Sequence, residues 1–331
     1  AALAGSIDVD VGAVVPAPAP LGYRNRGKYV AGERDGALVL GGFAPRSHDL
    51  IDTAGCRVVA PIIDEVAAWA VGAGRAAGVT PYRERARTGD LRYVVVRCNP
   101  AGDVLIGLVT PRAASVARIA AMADALARHP AVRGVVRVQH DRTDGAILPH
   151  DAVVTTLCGE PRLRDAVAGV AIETGIAEFL QVNHAQAAAM YDRIAELAGV
   201  TPGARAVDLY AGVGGITFAL ARRGAAVHAI EVDRGAVAAL DQAAAGAGLT
   251  QVTAQAGDAS LLGAVAVDVI VVNPPRKGLS DAACAAVLAA GAPTLIYVSC
   301  GPESLGRDLG RWRTAGYVVD AVEPFDLMPG T

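Results

Sequence analysis

The second half of this chain alternates short apolar strands with helices, and that alternation leaves few folds open to it. Strand patterns at 206–209, 227–231, 252–256, 267–272, 294–299 and 317–322 are separated by helical patterns at 216–223, 235–246, 280–290 and 302–315. A further helix at 186–198 leads in and is stopped by Gly199 and Pro202. Strands joined through helices lie side by side in parallel, so the expected architecture is α/β, a doubly wound, Rossmann-like sheet covered on both faces. The first half reads as a separate α+β unit. Strands are expected at 29–32, 37–42 and 132–139, and a hairpin joins 91–98 to 104–109 around Asn99-Pro-Ala-Gly-Asp103. Helices are expected at 60–77, behind the first-turn proline Pro61, and at 116–127, with Ser115 as N-cap. Residues 1–7 read as the end of a helix, and the alternating prolines of 16–20 as a stiff linker. The division falls at 1–175 and 176–331.

Composition excludes several classes. Hydrophobic residues make up 53% and charged residues 19%, which fits a globular chain with a large core. A net charge of −3 argues against a general polyanion binder. The first 160 residues carry 18 Arg/Lys against 16 Asp/Glu, and the rest 12 against 17, so the basic half is the better candidate for touching phosphates. The five cysteines, Cys56, Cys98, Cys158, Cys284 and Cys300, are scattered and without a Cys-x-x-Cys pair, which suits a reducing, cytoplasmic setting better than a disulfide framework. No apolar run reaches the ~18 residues of a membrane span. His48, His150 and His184 suggest no metal site, and a monomer is expected.

Three constellations carry chemistry. Asp208 ends a strand, and Gly212, Gly214 and Gly215 follow where the chain must turn into a helix, letting backbone approach a ligand. Glu231 ends the next strand and suits the two hydroxyls of a ribose. Asp258 follows the third strand and reads equally as an adenine contact or a helix cap. This much fits a dinucleotide or a methyl donor. Asn273-Pro274-Pro275 favours the methyl donor, since two prolines fix a turn that presents the Asn side chain at the mouth of the sheet. Arg276, where an aromatic would stack a base, points to phosphate or a base edge. The third constellation is Ser299-Cys300-Gly301-Pro302. Free Cys is often simply core, but this one follows its strand, opens a helix whose N-terminal end favours a thiolate, and shares a sheet edge with Asn273 and Glu231. A thiol in a methyl-transfer pocket has a defined use: added to carbon 6 of a uracil, it makes carbon 5 nucleophilic, and a base then removes the carbon-5 proton.

Together these motifs resemble the RNA uracil-5-methyltransferase family, over most of the chain. Phe179-Leu-Gln181-Val-Asn183 resembles the family's Phe-Phe-Gln-x-Asn segment, which implies that Gln181 contacts S-adenosylmethionine. Residues 208–215 match the donor loop, implying an aromatic contact from Tyr210 and ribose recognition by Glu231. Residues 273–278 match Asp-Pro-Pro-Arg-x-Gly, and Asn in first place looks more like the 23S ribosomal RNA branch than the transfer RNA branch. Ser299–Pro302 matches the nucleophile motif, with Cys300 as the catalytic residue. Gly22-Tyr-Arg24-Asn-Arg26-Gly-Lys28, and the stretch from Pro81 to Tyr93, are similar to the RNA-facing domain. The resemblance thus implies a class I methyltransferase domain acting on a structured RNA, with Arg24, Arg26, Lys28 and Arg276 holding it. The alternating arginines read equally as the wet side of a sheet.

The chain departs from the family's pattern in three places. Nothing resembles the small β-barrel RNA-binding domain that often comes first. Cys56 resembles one ligand of the iron–sulfur cluster that many members carry, but the other three are absent, and one cysteine cannot hold a cluster. The segment 326–331 resembles the start of the stretch bearing the family's general base, a glutamate just beyond it. The expectation is therefore a sequence trimmed at both ends. Two other readings stand beside methylation at carbon 5. One is transfer to an exocyclic base amine, which needs no thiol; the other is an RNA-binding assembly factor with impaired catalysis.

Overall fold

The computed structural model describes residues 10–331 except 48 and 264, so the helix end expected at 1–7, and His48, lie outside the described residues. The first half contains β1 (Arg26–Arg34), β2 (Ala37–Phe43), β3 (Leu50–Asp52), α1 (Pro61–Ala76), β4 (Tyr93–Cys98), β5 (Val104–Thr110), α2 (Val116–Leu126), β6 (Val132–Gln139) and β7 (Val153–Gly159). These strands form one seven-stranded sheet in the order β3-β2-β1-β4-β5-β6-β7. It is antiparallel except at β5–β6, where α2 makes the crossover. One face packs on α1 and α2 through Ile63, Val66, Ala70, Ile119, Met122 and Leu126. Ser115 caps α2 as expected, accepting the Arg118 N–H. The other face is also covered, so β4 and β5 are buried at every position.

Part of that second cover comes from a hairpin that the sequence reading did not anticipate, β8 (Leu163–Val167) with β9 (Val170–Thr174). Its connection, Ala168 at φ 47° and Gly169 at φ 73°, has the two positive φ angles that a tight two-residue turn requires. Leu163, the first residue of β8, and Ile176, just after β9, pack with Tyr93, Val95, Leu105 and Val136, joined by Ile147, Leu148 and Ala152, whereas Val167, Val170 and Ile172 pack with Phe218 and Leu240 of the second half.

The second half follows as α3 (His184–Leu197), β10 (Arg205–Leu209), α4 (Gly215–Ala221), β11 (Ala226–Glu231), α5 (Arg234–Gly246), β12 (Val252–Ala256), β13 (Val269–Val272), α6 (Asp281–Ala290), β14 (Thr294–Tyr297) and α7 (Pro302–Thr314). The five strands are all parallel, in the order β12-β11-β10-β13-β14. This is the doubly wound α/β sheet expected. Caps set the helix starts: Asn183, Asp233 and Ser280 accept backbone N–H groups at the first turns of α3, α5 and α6. The strand expected at 317–322 is not formed. Tyr317 and Val319 pack against the core while Val318 is exposed, but among the described residues the segment's only pairing is an isolated parallel bridge from Val322 to Val11.

Candidate active site

Strand order reverses between β10 and β13, and ligands of such sheets bind at the carboxyl ends beside that reversal. The predicted residues converge there. Tyr210 leaves β10 at φ 63°, a left-handed conformation costly for a residue with a Cβ, and is held by its N–H bond to Ile230 O at 2.9 Å. The loop glycines differ in purpose. Gly212 sits at φ 56°, and a Cβ there would meet nothing within 4 Å, so its surroundings are open. Gly214, at φ 100°, packs too closely for a side chain, a Cβ lying 2.8 Å from the Phe218 ring.

Glu231 ends β11 and folds its carboxylate onto the same loop. Oε2 accepts the Gly212 N–H at 2.9 Å and Oε1 the Asp233 N–H at 2.8 Å. Each oxygen keeps a further lone pair for a ligand. Asp258, after β12, accepts the Ser260 N–H at 2.9 Å and caps a short 3-10 turn, and the hydrogen bond holds its carboxyl below the usual range. Beneath the loop, Asp208 is wholly buried. One oxygen accepts the Thr217 hydroxyl at 2.7 Å, the other has no partner, and burial pushes the carboxyl up to about 7.

Across the reversal, the half-buried Asn273 donates its N–H to Leu209 O at 3.2 Å, joining the ends of β13 and β10. Arg276 and Lys277 are exposed. The Val298 N–H reaches Val272 O at 2.8 Å, carrying the β13–β14 pairing one step further, and Cys300 then emerges exposed at the start of α7. Ser299 Oγ accepts the Gly301 N–H at 3.1 Å, and Ser304 Oγ donates to Arg276 O at 3.0 Å. The loop of Cys300 is thereby fastened to the loop of Asn273. The sequence reading missed the groups behind this junction, Tyr297, Arg307 and the fully buried Asp308.

Gln181 lies on a segment clamped by the first sheet. The Asn25 side chain donates to Gln181 O at 2.9 Å and its N–H to Val182 O at 2.9 Å, while Arg24 bridges to Asn183. Just before it, Arg97 donates to Gly175 O at 2.6 Å and to Glu178 O. Arg26 corrects an expectation. It was read as an RNA contact sharing a face with Arg24 and Lys28, but it is buried and donates to Ile176 O and Glu178 O. Burial pushes its guanidinium down to about 10 and that of Arg97 to about 9. Arg24 is half-buried and Lys28 exposed at its surface; partial desolvation against the sheet, then the neighbouring Arg26, Arg97 and Arg24, lower the Lys28 ammonium. Cys56 packs beside the α1 core, and no group of three potential metal ligands occurs among the described residues. No helix among the described residues is long and apolar enough to cross a membrane.

No family model matches the chain. It is 31% identical to a protein of Streptococcus pyogenes serotype M1 named as an uncharacterized RNA methyltransferase, over 99% of this chain and 72% of that protein. Another uncharacterized RNA methyltransferase, from Halalkalibacterium halodurans, is 30% identical over 94% of this chain and 69% of its own length. Among solved structures, the Pyrococcus abyssi tRNA (uracil-54, C5)-methyltransferase in complex with S-adenosyl-L-homocysteine superposes with a TM-score of 0.80 at 21% identity, covering 96% of this chain and 76% of that one. The chain therefore has the fold of an S-adenosylmethionine-dependent methyltransferase and belongs to the RNA methyltransferase family, as its motifs led one to expect.

Proposed function

We propose that this protein methylates carbon 5 of a uridine in a structured RNA, with Cys300 as nucleophile. Residues 176–331 form the donor-binding and catalytic part, and residues 1–175 face the RNA. The observation that carries this reading is the exposed Cys300, on a loop fastened to the Asn273 loop beside the strand-order reversal. The crevice suits S-adenosylmethionine: Gly212 leaves open space, and Glu231 has lone pairs to spare for ribose hydroxyls. Gln181, Tyr210, Gly212, Gly214, Glu231, Asp258 and Asn273 would hold it, and when bound it supplies an electrophilic methyl group.

The chain's own part is to make carbon 5 reactive. The target base is first taken from its stack, at a cost of roughly a few kcal/mol. Arg24, Lys28 and Arg276 hold the RNA through its phosphates. The Cys300 thiolate adds to carbon 6, forming the S–C6 bond and moving the C5=C6 electron pair toward carbon 5 and O4. Once carbon 5 carries the methyl group, a base removes its proton, the C5=C6 bond re-forms, and the thiolate leaves. Asn273 in place of Asp supports ribosomal over transfer RNA as the substrate.

The test is the intact mass of the protein after incubation with S-adenosylmethionine and RNA containing 5-fluorouridine. Fluorine at carbon 5 does not leave as a proton, so the adduct persists. The expected product is protein plus RNA plus one methyl, absent in Cys300→Ala, and formed on 23S ribosomal RNA fragments in preference to transfer RNA. Binding without an adduct, or methyl transfer by Cys300→Ala, would overturn the thiol mechanism and favour an amine methyltransferase or a silent RNA binder.

A further inference from the structure

Asp308 is the only charged residue of α7 with no exposure to solvent. Its carboxylate joins two loops of the site that are far apart in sequence. Oδ2 accepts the Leu279 N–H at 2.9 Å, immediately after the Asn273–Gly278 turn. The same oxygen accepts the Tyr297 hydroxyl at 2.8 Å, from the last residue of β14 and three positions before Cys300. Oδ1 takes Arg307 Nε at 2.9 Å, and the same guanidinium reaches Lys277 O at 2.9 Å.

The fit leaves little play. Gly278 sits at φ 76°, and a Cβ there would lie 2.5 Å from Asp308 Oδ2. A Cβ on Gly301 would lie 2.8 Å from Arg276 O. Burying a carboxylate is costly unless it is paired and hydrogen-bonded, and this one is. If α7 needed only a core contact here, a leucine would provide it without that cost. What a leucine lacks is acceptors for the Leu279 N–H, the Tyr297 hydroxyl and the Arg307 guanidinium.

The geometry points to Asp308, with Tyr297 and Arg307, as the positioning residue that fixes the Cys300 loop relative to the Asn273 loop. This rests on the reading of Cys300 as the nucleophile. Asp308 touches neither RNA nor donor in this proposal. It holds the thiol where the uracil ring is presented, and small displacements of a reacting group cost rate steeply.

The experiment uses Asp308→Asn and the milder Tyr297→Phe. Asn retains an acceptor for Leu279 and Tyr297 but turns an amide toward Arg307, whereas Phe removes only the hydroxyl. Adduct formation on 5-fluorouridine RNA is followed in time, alongside equilibrium RNA and S-adenosylmethionine binding and hydrogen exchange of the 273–279 and 297–304 segments. The expected result is adduct formation slowed about 10- to 100-fold in Asp308→Asn and less in Tyr297→Phe. Both affinities stay within about twofold, and exchange rises in both segments together. Unchanged adduct rates in the folded variants, or exchange rising in one segment alone, would overturn the positioning role while leaving Cys300 as nucleophile. No adduct in the wild type would instead overturn the functional reading, and the exchange data would still report whether Asp308 joins the two loops.

Discussion

Asp208 offers the sharpest test of the physical picture of the donor crevice. It is wholly buried, and burial raises its carboxyl from 3.8 to about 7, with a smaller contribution in the same direction from Glu231. The native state therefore holds a proton across that window that the unfolded chain has released. Its contribution to stability is complete below pH 3.8 and is lost as pH rises through about 7. A shift of roughly 3 units is worth about 4 kcal/mol. Asp208→Asn removes the titration. Its amide oxygen still accepts the Thr217 hydroxyl, and its amide nitrogen takes the place of the unpartnered oxygen, at a cost of about 1–3 kcal/mol. The variant should be equal to or slightly less stable than the wild type at pH 5 and more stable at pH 8, the difference moving by about 2.5 kcal/mol, because only the roughly two pH units from 5 to about 7 fall inside the assay window. The assay is urea unfolding across that range, followed by Trp312 fluorescence in a Trp69→Phe background. Trp312 is buried in the parallel-sheet half and packs on Tyr297 at 5.4 Å, so it reports on the relevant part of the chain. Other titrating groups cancel in the difference. A wild-type-minus-variant difference that stays flat with pH would refute the burial argument.

Two further substitutions probe the supports of the crevice. Glu231→Gln leaves one oxygen where two now accept the Gly212 and Asp233 N–H groups, and it removes the charge proposed to face the ribose. S-adenosylmethionine affinity by calorimetry should fall about tenfold or more, a loss of about 1.5–3 kcal/mol typical of a bond to a charged acceptor. Arg97→Met orphans the carbonyl of Gly175, at about 1–3 kcal/mol, and leaves Glu178 O only the 3.4 Å bond from Arg26. Relief of the buried guanidinium offsets part of this, so a net loss of about 1–3 kcal/mol is expected, read from thermal unfolding followed by Trp69.

What was legible in the sequence, and what was not, follows from where each residue sits relative to covers supplied by distant segments. Strands of the parallel sheet are apolar runs with turn residues at their ends, so Asn273, Glu231 and Cys300, placed just past those ends, could be read from spacing alone. Arg26 could not. Arg24, Arg26 and Lys28 alternate, which on an open sheet marks the wet face, and that inference fails only if something covers the face. The cover is the β8–β9 hairpin together with the segment that follows it. Its strands carry Arg164, Asp165 and Glu173 among their apolar residues, and its turn is Ala168-Gly169, weak signals beside an Asn-Gly turn. Missing the hairpin made β1 look half-exposed and hid the clamp that Arg26 and Arg97 place on the Gln181 segment. Asp308 escaped for a related reason. A carboxylate between arginines on a polar helix reads as solvated, and its partners lie on β14 and after the Asn273–Gly278 turn, up to 29 positions away. In both cases the local pattern gave the right element and the wrong environment. The residues that hold this site together are therefore those whose polarity is satisfied across the fold, and they show only when buried charges are traced to their partners.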